Sequence, residues 1–554
     1  MRGRHVFMDS LTAHGVTHIF GNPGTTESPL LDTLADYPSI RYVCHLYEGL
    51  AVGAASYHAR ATGRPAVVSL HVAPGLGNGI GMIYNALKAR APIVVTAGQQ
   101  DTRMLRREPL LSHDLAAMAA PVTKWSTEVR TADEMDEVMR RAFKIACDPP
   151  HGPVFVSLPI DVMEQPTTHA ATPPSHAFRV GAPDPRGIEE AAALLASARS
   201  PVIVTGDDVG RQQAIGELVR LAERIGAPVW SEGLRGNLSF PTAHPQSRGA
   251  LPFEAGAIRR SLGDADVVLL IGGPFFEEVW HDEGSPFPDG ARLIQIESSA
   301  APLGANHSVQ VGIVASMQGA LAALDRAVDA SLDAARRQAA DARRERLVQA
   351  RAAADASYQA RLKKAWSREP ISMSRVMADL RAGTPPEAVI VEESITASLD
   401  FAAAFPFSAD DVFLGARGGG IGQGVAGAIG ASVAHPGRPV LCLSGDGSAM
   451  YSIQALWTAA RYRLPIVFAL LCNREYRVLK HNLDIYRQRF DTQSDRPYPE
   501  MDLGGPRIGY VELAAGMGVP AARVTRPDEL EAAVRKAFAS GGPYLLEIEI
   551  EGKR

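Results

Sequence analysis

The sequence predicts an α/β protein made of three doubly wound domains, each built on a parallel sheet. Three observations predict it. Short apolar runs rich in β-branched residues end in glycine or proline and alternate with helical patterns, as βαβ units do. At 554 residues the chain is too long for a single core. Its 51 glycines stand in an otherwise ordinary globular composition, which suits tight turns around ligands.

The elements follow in order. Residues 1–165 form the first predicted domain. Its strands are "THIFGNPG", "PAVVSLHVAPG", "APIVVTAGQQ" and "GPVFVSLP", with helices over "YEGLAVGAASYHARATG" and "LGNGIGMIYNALKAR". The polar, proline-rich stretch "QPTTHAATPPSHAFRVGAPDPRG" reads as a linker. A second domain at 185–330 carries "PVIVTG", "PVWSEG", "VVLLIGGP" and "RLIQIE". An Ala/Arg-rich helical linker at 331–368 presents its charges as a solvated face. The third domain, 369–554, runs from "AVIVEES" through "VLCLSGDG" and "PIVFALLCNREY" to "GPYLLEIEI". The first and third domains read as structural relatives.

Composition excludes several classes. With 56 basic against 61 acidic residues there is no electrostatic footprint for nucleic acid. No apolar run approaches the ~20 residues of a membrane span, and "MRGRHVFMDSLTAHGV" lacks a signal-peptide core. Cys44, Cys147, Cys442 and Cys472 are widely spaced and read as reduced thiols. A soluble, cytoplasmic protein is expected.

The chemistry concentrates in "LSGDGSAMYS". Asp446, between Gly445 and Gly447, is either a helix N-cap or a ligand for something charged. Asn473 follows 27 residues later, after one helix (from Ser452 to about Tyr462) and one returning strand. In a parallel sheet that crossover returns both residues to the same edge. Together they can hold a hard cation such as magnesium, with phosphate oxygens and water completing the shell. The helix beginning after Gly447 offers its N-terminus to a diphosphate.

The ordered motifs "GNPGTTE", "LYEG", "SLHVAPGLGN", "IVVTAGQQ", "GGGIG", "GDGSAMYSIQALWTAA" and "CNREY" resemble those of thiamin diphosphate enzymes. Within that superfamily of pyruvate decarboxylase- and acetolactate synthase-like proteins, they are most similar to benzoylformate decarboxylases. The resemblance spans about residues 5–550. It departs at Cys472-Asn473, where the signature has Asn-Asn. It implies pyrimidine-binding, middle and diphosphate-binding domains, and a cofactor lying between the first domain of one subunit and the third of another. A homodimer at least, and usually a homotetramer, follows.

The resemblance also implies roles. Asp446, Asn473 and the backbone carbonyl of Glu475 would hold magnesium. Asn78, Ser394, Thr396, Gly419, Gly445, Gly447, Ser448 and Tyr476 would contact thiamin diphosphate, and Ile421 would be the apolar wedge that bends it. Glu48 would hydrogen-bond the aminopyrimidine ring and favour its imino tautomer; without the resemblance it reads as a carboxylate at a helix N-terminus. His71 and His281 would move protons, and Thr25 would meet the substrate carboxylate. His113 is expected to be non-catalytic. Arg477, Lys480, His481 and Asn482 would line a pocket for a polar substrate or else form a solvated lid. The implied reaction is non-oxidative decarboxylation of a small 2-oxo acid to an aldehyde, with carboligation or 2-hydroxyacyl lyase chemistry as the alternative. No flavin or nucleotide signature is present, and no nucleic-acid or membrane partner is expected.

Overall fold

The computed structural model describes residues 1–174, 181–492 and 494–552. Three six-stranded sheets account for its β-structure. The first holds β1 (His18–Gly21), β2 (Arg41–Cys44), β3 (Ala66–Leu70), β4 (Ile93–Gln99), β5 (Ser126–Glu128) and β6 (Val154–Pro159). Their order is β2-β1-β3-β4-β6-β5. The second holds β7 (Pro201–Thr205), β8 (Val229–Ser231), β9 (Ser247–Ala250), β10 (Val267–Ile271), β11 (Arg292–Glu297) and β12 (Val311–Val314), ordered β12-β11-β10-β7-β8-β9. The third holds β13 (Val389–Glu393), β14 (Phe413–Gly415), β15 (Val440–Gly445), β16 (Ile466–Cys472), β17 (Ala521–Val524) and β18 (Tyr544–Glu549), ordered β14-β13-β15-β16-β18-β17.

Numbered from the start of each domain, the first and third sheets share the order 2-1-3-4-6-5, so their kinship is present in the topology. The middle sheet reads 3-2-1-4-5-6, the order of dinucleotide-binding sheets. Central strands such as β3 "AVVSL" and β4 "IVVTAGQ" are buried along their whole length, as strands covered by helices on both faces must be.

The chain divides into two compact units. One comprises residues 1–176, 365–400 and 416–554; the other comprises 177–364 and 401–415. The helical segment expected at 331–368 is a single 32-residue helix, Ala334–Ala365, with only Ala340 and Leu362 buried. Its charges do form a solvated face. No described helix is long and apolar enough to cross a membrane, and all four cysteines are free.

Within the first unit, helix Glu48–Thr62 lies against helix Gln423–Ala434. A Cβ at Gly430 would come within 1.8 Å of the Ala54 carbonyl oxygen, so the two backbones touch. Residues 48–60 and 423–432 are buried throughout. This contact ties the start of each helix, where both carry functional motifs, to one rigid body.

Two histidines in this unit shape its acid stability. His45 is fully enclosed, and burial alone drives its ring down to about 3. His58 is held at about 3 by burial, aided by His18 and His435. Both pKa values lie below the unfolded value of 6.5. The stability these neutral rings contribute is therefore present above pH 6.5 and lost as pH falls from there toward 3. The melting temperature is expected to drop steeply across that window. His45→Leu should flatten the fall by about 1.4 kcal/mol per pH unit, the contribution of one proton. An unchanged slope would show that His45 is not buried neutral.

Candidate active site

β15 and β16 are parallel neighbours whose register pairs Gly445 with Leu471. Asp446 and Asn473 therefore emerge together at the carboxyl edge of the sheet, where ligands bind in such folds. Asp446 is buried. Its Oδ1 accepts the Gly447 N–H at 2.9 Å and its Oδ2 the Arg474 N–H at 2.7 Å. Burial pushes its carboxyl up to about 6 despite these amides. Asn473 Oδ1 accepts the Glu475 N–H at 3.0 Å, closing a tight turn in which Arg474 takes φ 60°. The Tyr510 hydroxyl donates to the Asp446 carbonyl at 3.0 Å.

A cleft opens here, lined among others by Ser394, Thr396, Asp446, Asn473, Glu475 and Tyr476. Gly445, Gly447 and Ser448 complete one wall. Gly447 must lack a side chain, because a Cβ would sit 2.4 Å from the Tyr476 ring. The residues fit a divalent cation carrying a diphosphate. A buried carboxylate, a carboxamide and the Glu475 main chain give a hard ion oxygen donors, and the Gly445–Ser448 backbone lies beside them.

Two expectations need revision here. The helix expected to start after Gly447 is one turn, Asp446–Ala449, and the next helix begins at Ala455, not Ser452. Between them the Tyr451 and Ser452 amides bond three residues back, to Ser448 and Ala449, which tightens the chain out of the α-helical path. The cleft is thus edged by turn amides rather than by the end of a long helix. The Ser394 hydroxyl donates back to Glu392 on β13, while Thr396 stands exposed in the turn Ile395–Ala397.

A second cluster forms in the first domain. Glu48 opens helix Glu48–Thr62 and is buried. Its Oε2 accepts from Asn78 Nδ2 at 3.0 Å, and its Oε1 from Asn22 Nδ2 at 3.5 Å. Asn78 lies on helix Val72–Lys88, which His71 precedes. Gly75, one turn in, accommodates the carboxylate: a Cβ there would stand 3.0 Å from Glu48 Oε1. His71 packs on Gly24, and its Nδ1 lies 2.8 Å from Glu27 Oε2 and 3.4 Å from Thr26 Oγ1. Thr25 begins the turn Thr25–Glu27 and is exposed.

Glu27 was not singled out from the sequence, although it closes the motif "GNPGTTE". It is buried and accepts the Gly98 N–H at 2.8 Å and the Thr26 hydroxyl at 3.1 Å. Burial pushes its carboxyl up, while the bonds from His71, Gly98 and Thr26 hold it back. With Nδ1 engaged by this carboxylate, the ring's tautomer is fixed and Nε2 is the nitrogen left to exchange a proton. The available signal was an acidic residue three positions after Gly24, in the glycine turn that follows β1.

The remaining candidates lie elsewhere. Gly419 has φ +82° with nothing near its Cβ position, and Ile421 is half-buried beside it. His281 belongs to the other unit, exposed on the irregular segment between β10 and β11. His113 is exposed, and its carbonyl accepts from Gln99. Arg477 pairs with Glu475 at 3.0 Å and donates to the carbonyls of Glu551 and Gly552. Lys480 is buried between Glu475 at 2.6 Å and Asp502 at 2.5 Å. Arg477, which also lines the cleft, and Lys480 are thus both paired within the third domain. His481 is exposed and Asn482 half-buried on the same helix, Arg477–Arg489.

Comparison with known proteins gives this geometry a context. Three family models match: the thiamine pyrophosphate enzyme N-terminal TPP binding domain over residues 1–118, the central domain over 188–324, and the C-terminal TPP binding domain over 397–548. Benzoylformate decarboxylase of Pseudomonas aeruginosa is 34% identical over 550 residues, covering 97% of each chain. Acetolactate synthase isozyme 1 large subunit of Escherichia coli is 27% identical over 557 residues, covering 100% of this chain and 94% of its own. A solved thiamine diphosphate-dependent 4-hydroxybenzoylformate decarboxylase from Rhodococcus jostii RHA1 superposes with a TM-score of 0.85 at 30% identity over the whole of both chains. The benzoylformate decarboxylase of Polynucleobacter necessarius gives 0.86 at 26%, covering 99% of each.

Proposed function

The chain belongs to the thiamine pyrophosphate enzyme family, and from that premise we propose that it decarboxylates a 2-oxo acid to the aldehyde, using thiamin diphosphate and magnesium. The balance is R–CO–COO⁻ + H⁺ → R–CHO + CO2. The bond between the carbonyl and carboxylate carbons breaks, and its electron pair becomes the new C–H bond. Something must deliver that proton. The observation that carries the reading is the Glu27–His71 pair, a histidine oriented by a buried carboxylate in the same cluster as Glu48.

Asp446, Asn473 and Glu475 would hold the magnesium, with the diphosphate against the Gly445–Ser448 turn. The cofactor supplies the electron sink for the carbon that loses carbon dioxide. Glu48 holds a proton at its carboxylate on the aminopyrimidine side, Thr25 presents a hydroxyl to the substrate carboxylate, and His71 Nε2 donates to the carbonyl carbon. The cleft is lined by third-domain residues, and Glu48, Asn78 and His71 are not among them. A second copy of the chain bringing these residues to the cleft accounts for that separation.

Leu110 and Leu111 favour an apolar acyl group. Their loop is hooked to the helix start beside His71 by the Ala73 N–H on the Leu111 carbonyl, yet Leu110 is 82% exposed. The three aryl-glyoxylate decarboxylases among the relatives agree with an aryl substrate.

Glu27→Gln tests the proton-delivery role. It should reduce turnover by about 10²-fold, within the range of general acid–base contributions, displace the pH–rate profile, and leave cofactor affinity unchanged. Normal decarboxylation with an unaltered pH profile would remove His71 from proton transfer.

A further inference from the structure

The glycine-rich segment 418–422 contains no regular structure and has Gly418, Gly419 and Gly422 at φ +83°, +82° and +88°. Such a segment has many conformations available, so its shape must be imposed from outside. Two side chains from different elements impose it.

Asn85, near the end of helix Val72–Lys88, is buried. Its Nδ2 donates to the Gly420 carbonyl at 3.0 Å, and its Oδ1 accepts the Gly420 N–H at 3.1 Å. One carboxamide thus satisfies both backbone groups of one residue, as a paired strand would. The fit needs glycine: a Cβ at Gly420 would stand 2.7 Å from Asn85 Nδ2, and one at Gly418 3.0 Å from Asn85 Cα. From the other side Glu393, the last residue of β13, is buried. Its Oε1 accepts the N–H groups of Gly422 at 2.8 Å and Gln423 at 3.2 Å, and its Oε2 that of Gly424 at 2.8 Å. Gln423 then bonds back to the carbonyls of Arg417 and Gly420 at 2.9 and 2.7 Å.

We propose that Asn85 and Glu393 are positioning residues that clamp this segment at its middle, Gly420, and at its end, from Gly422 on, so that Gly419 and Ile421 bear on the cofactor's thiamin portion. The inference rests on the cofactor reading above. Neither residue lines the cleft that holds Asp446, so the clamp sets the shape of the bound thiamin and leaves anchoring of the diphosphate to the metal site. Asn85 also shares its helix with Asn78, the partner of Glu48. One helix thereby fixes the wedge segment at one end and the proton-handling carboxylate at the other.

The experiment compares wild type, Asn85→Asp and Glu393→Gln in the presence of magnesium. Asp at position 85 keeps the acceptor but sets an oxygen against the Gly420 carbonyl. Gln at position 393 sets an amide N–H₂ against a backbone N–H. Binding of thiamin diphosphate and of inorganic diphosphate is measured by quenching of intrinsic fluorescence, and the near-ultraviolet circular dichroism of the bound cofactor reports its shape. Each variant is expected to bind thiamin diphosphate about ten-fold more weakly, the loss of one or two hydrogen bonds. Inorganic diphosphate should bind as in wild type, and the dichroism band of the bound cofactor should change. Wild-type dichroism and thiamin diphosphate affinity in Asn85→Asp, at unchanged melting temperature, would overturn the clamp. Equal weakening of both ligands in both variants would also overturn it, showing a general structural role. Failure of wild type itself to bind thiamin diphosphate would instead overturn the cofactor reading.

Discussion

Glu48→Gln is expected to bind thiamin diphosphate as wild type does and to turn over about 10³-fold more slowly, a loss within the general acid–base range. Two asparagine amides, Asn78 and Asn22, hold the carboxylate in place. Glutamine preserves the volume and one acceptor oxygen, so the helix start and its fit against Gly75 survive. It removes the group that holds and releases a proton at the aminopyrimidine. Turnover numbers at saturating cofactor, with the cofactor dissociation constant measured in parallel, separate the two effects. Wild-type turnover would refute the assignment. Wild-type turnover per bound cofactor with weakened binding would reduce Glu48 to a contact.

Asp446→Ala carries the second large effect. It removes the buried carboxylate on which the Gly447 and Arg474 amides converge, and with it the charged ligand of the metal. Magnesium bound through few protein ligands depends heavily on each carboxylate. Retention of thiamin diphosphate through gel filtration should be lost, and chelator should make no further difference. In wild type, chelator should release the cofactor. A variant that keeps the cofactor equally tightly with and without chelator would contradict the metal assignment.

In each sheet the four central strands were legible and the two edge strands were not. β2 and β5, β9 and β12, and β14 and β17 are all three or four residues long and flank the sheets. Central strands are buried on both faces and read as continuous apolar runs. Edge strands such as β5 "STE" and β9 "SRGA" are partly or wholly open to solvent and carry no such pattern. The Asp446–Asn473 pairing was legible because it follows from one crossover and the parallel register. The length of the helix after Asp446 was not, since hydrogen bonds three residues back leave no mark in hydrophobic periodicity. The fate of Arg477 and Lys480 was hidden for another reason: their partner, Glu475, was read only through its backbone. Glu27, Asn85 and Glu393 act through side chains that meet distant backbone, which sequence spacing does not encode.

The most direct test of the proposed reaction supplies purified protein with thiamin diphosphate and magnesium. Benzoylformate, pyruvate, a branched 2-oxo acid and a dicarboxylic 2-oxo acid are offered, each with and without an acceptor aldehyde. Carbon dioxide and organic products are counted together. The expected result is carbon dioxide matched one to one by free aldehyde, without need of an acceptor, and fastest with benzoylformate. Carbon dioxide released only with acceptor, or matched by a hydroxyketone, would contradict it and assign the chain to carbon–carbon bond formation.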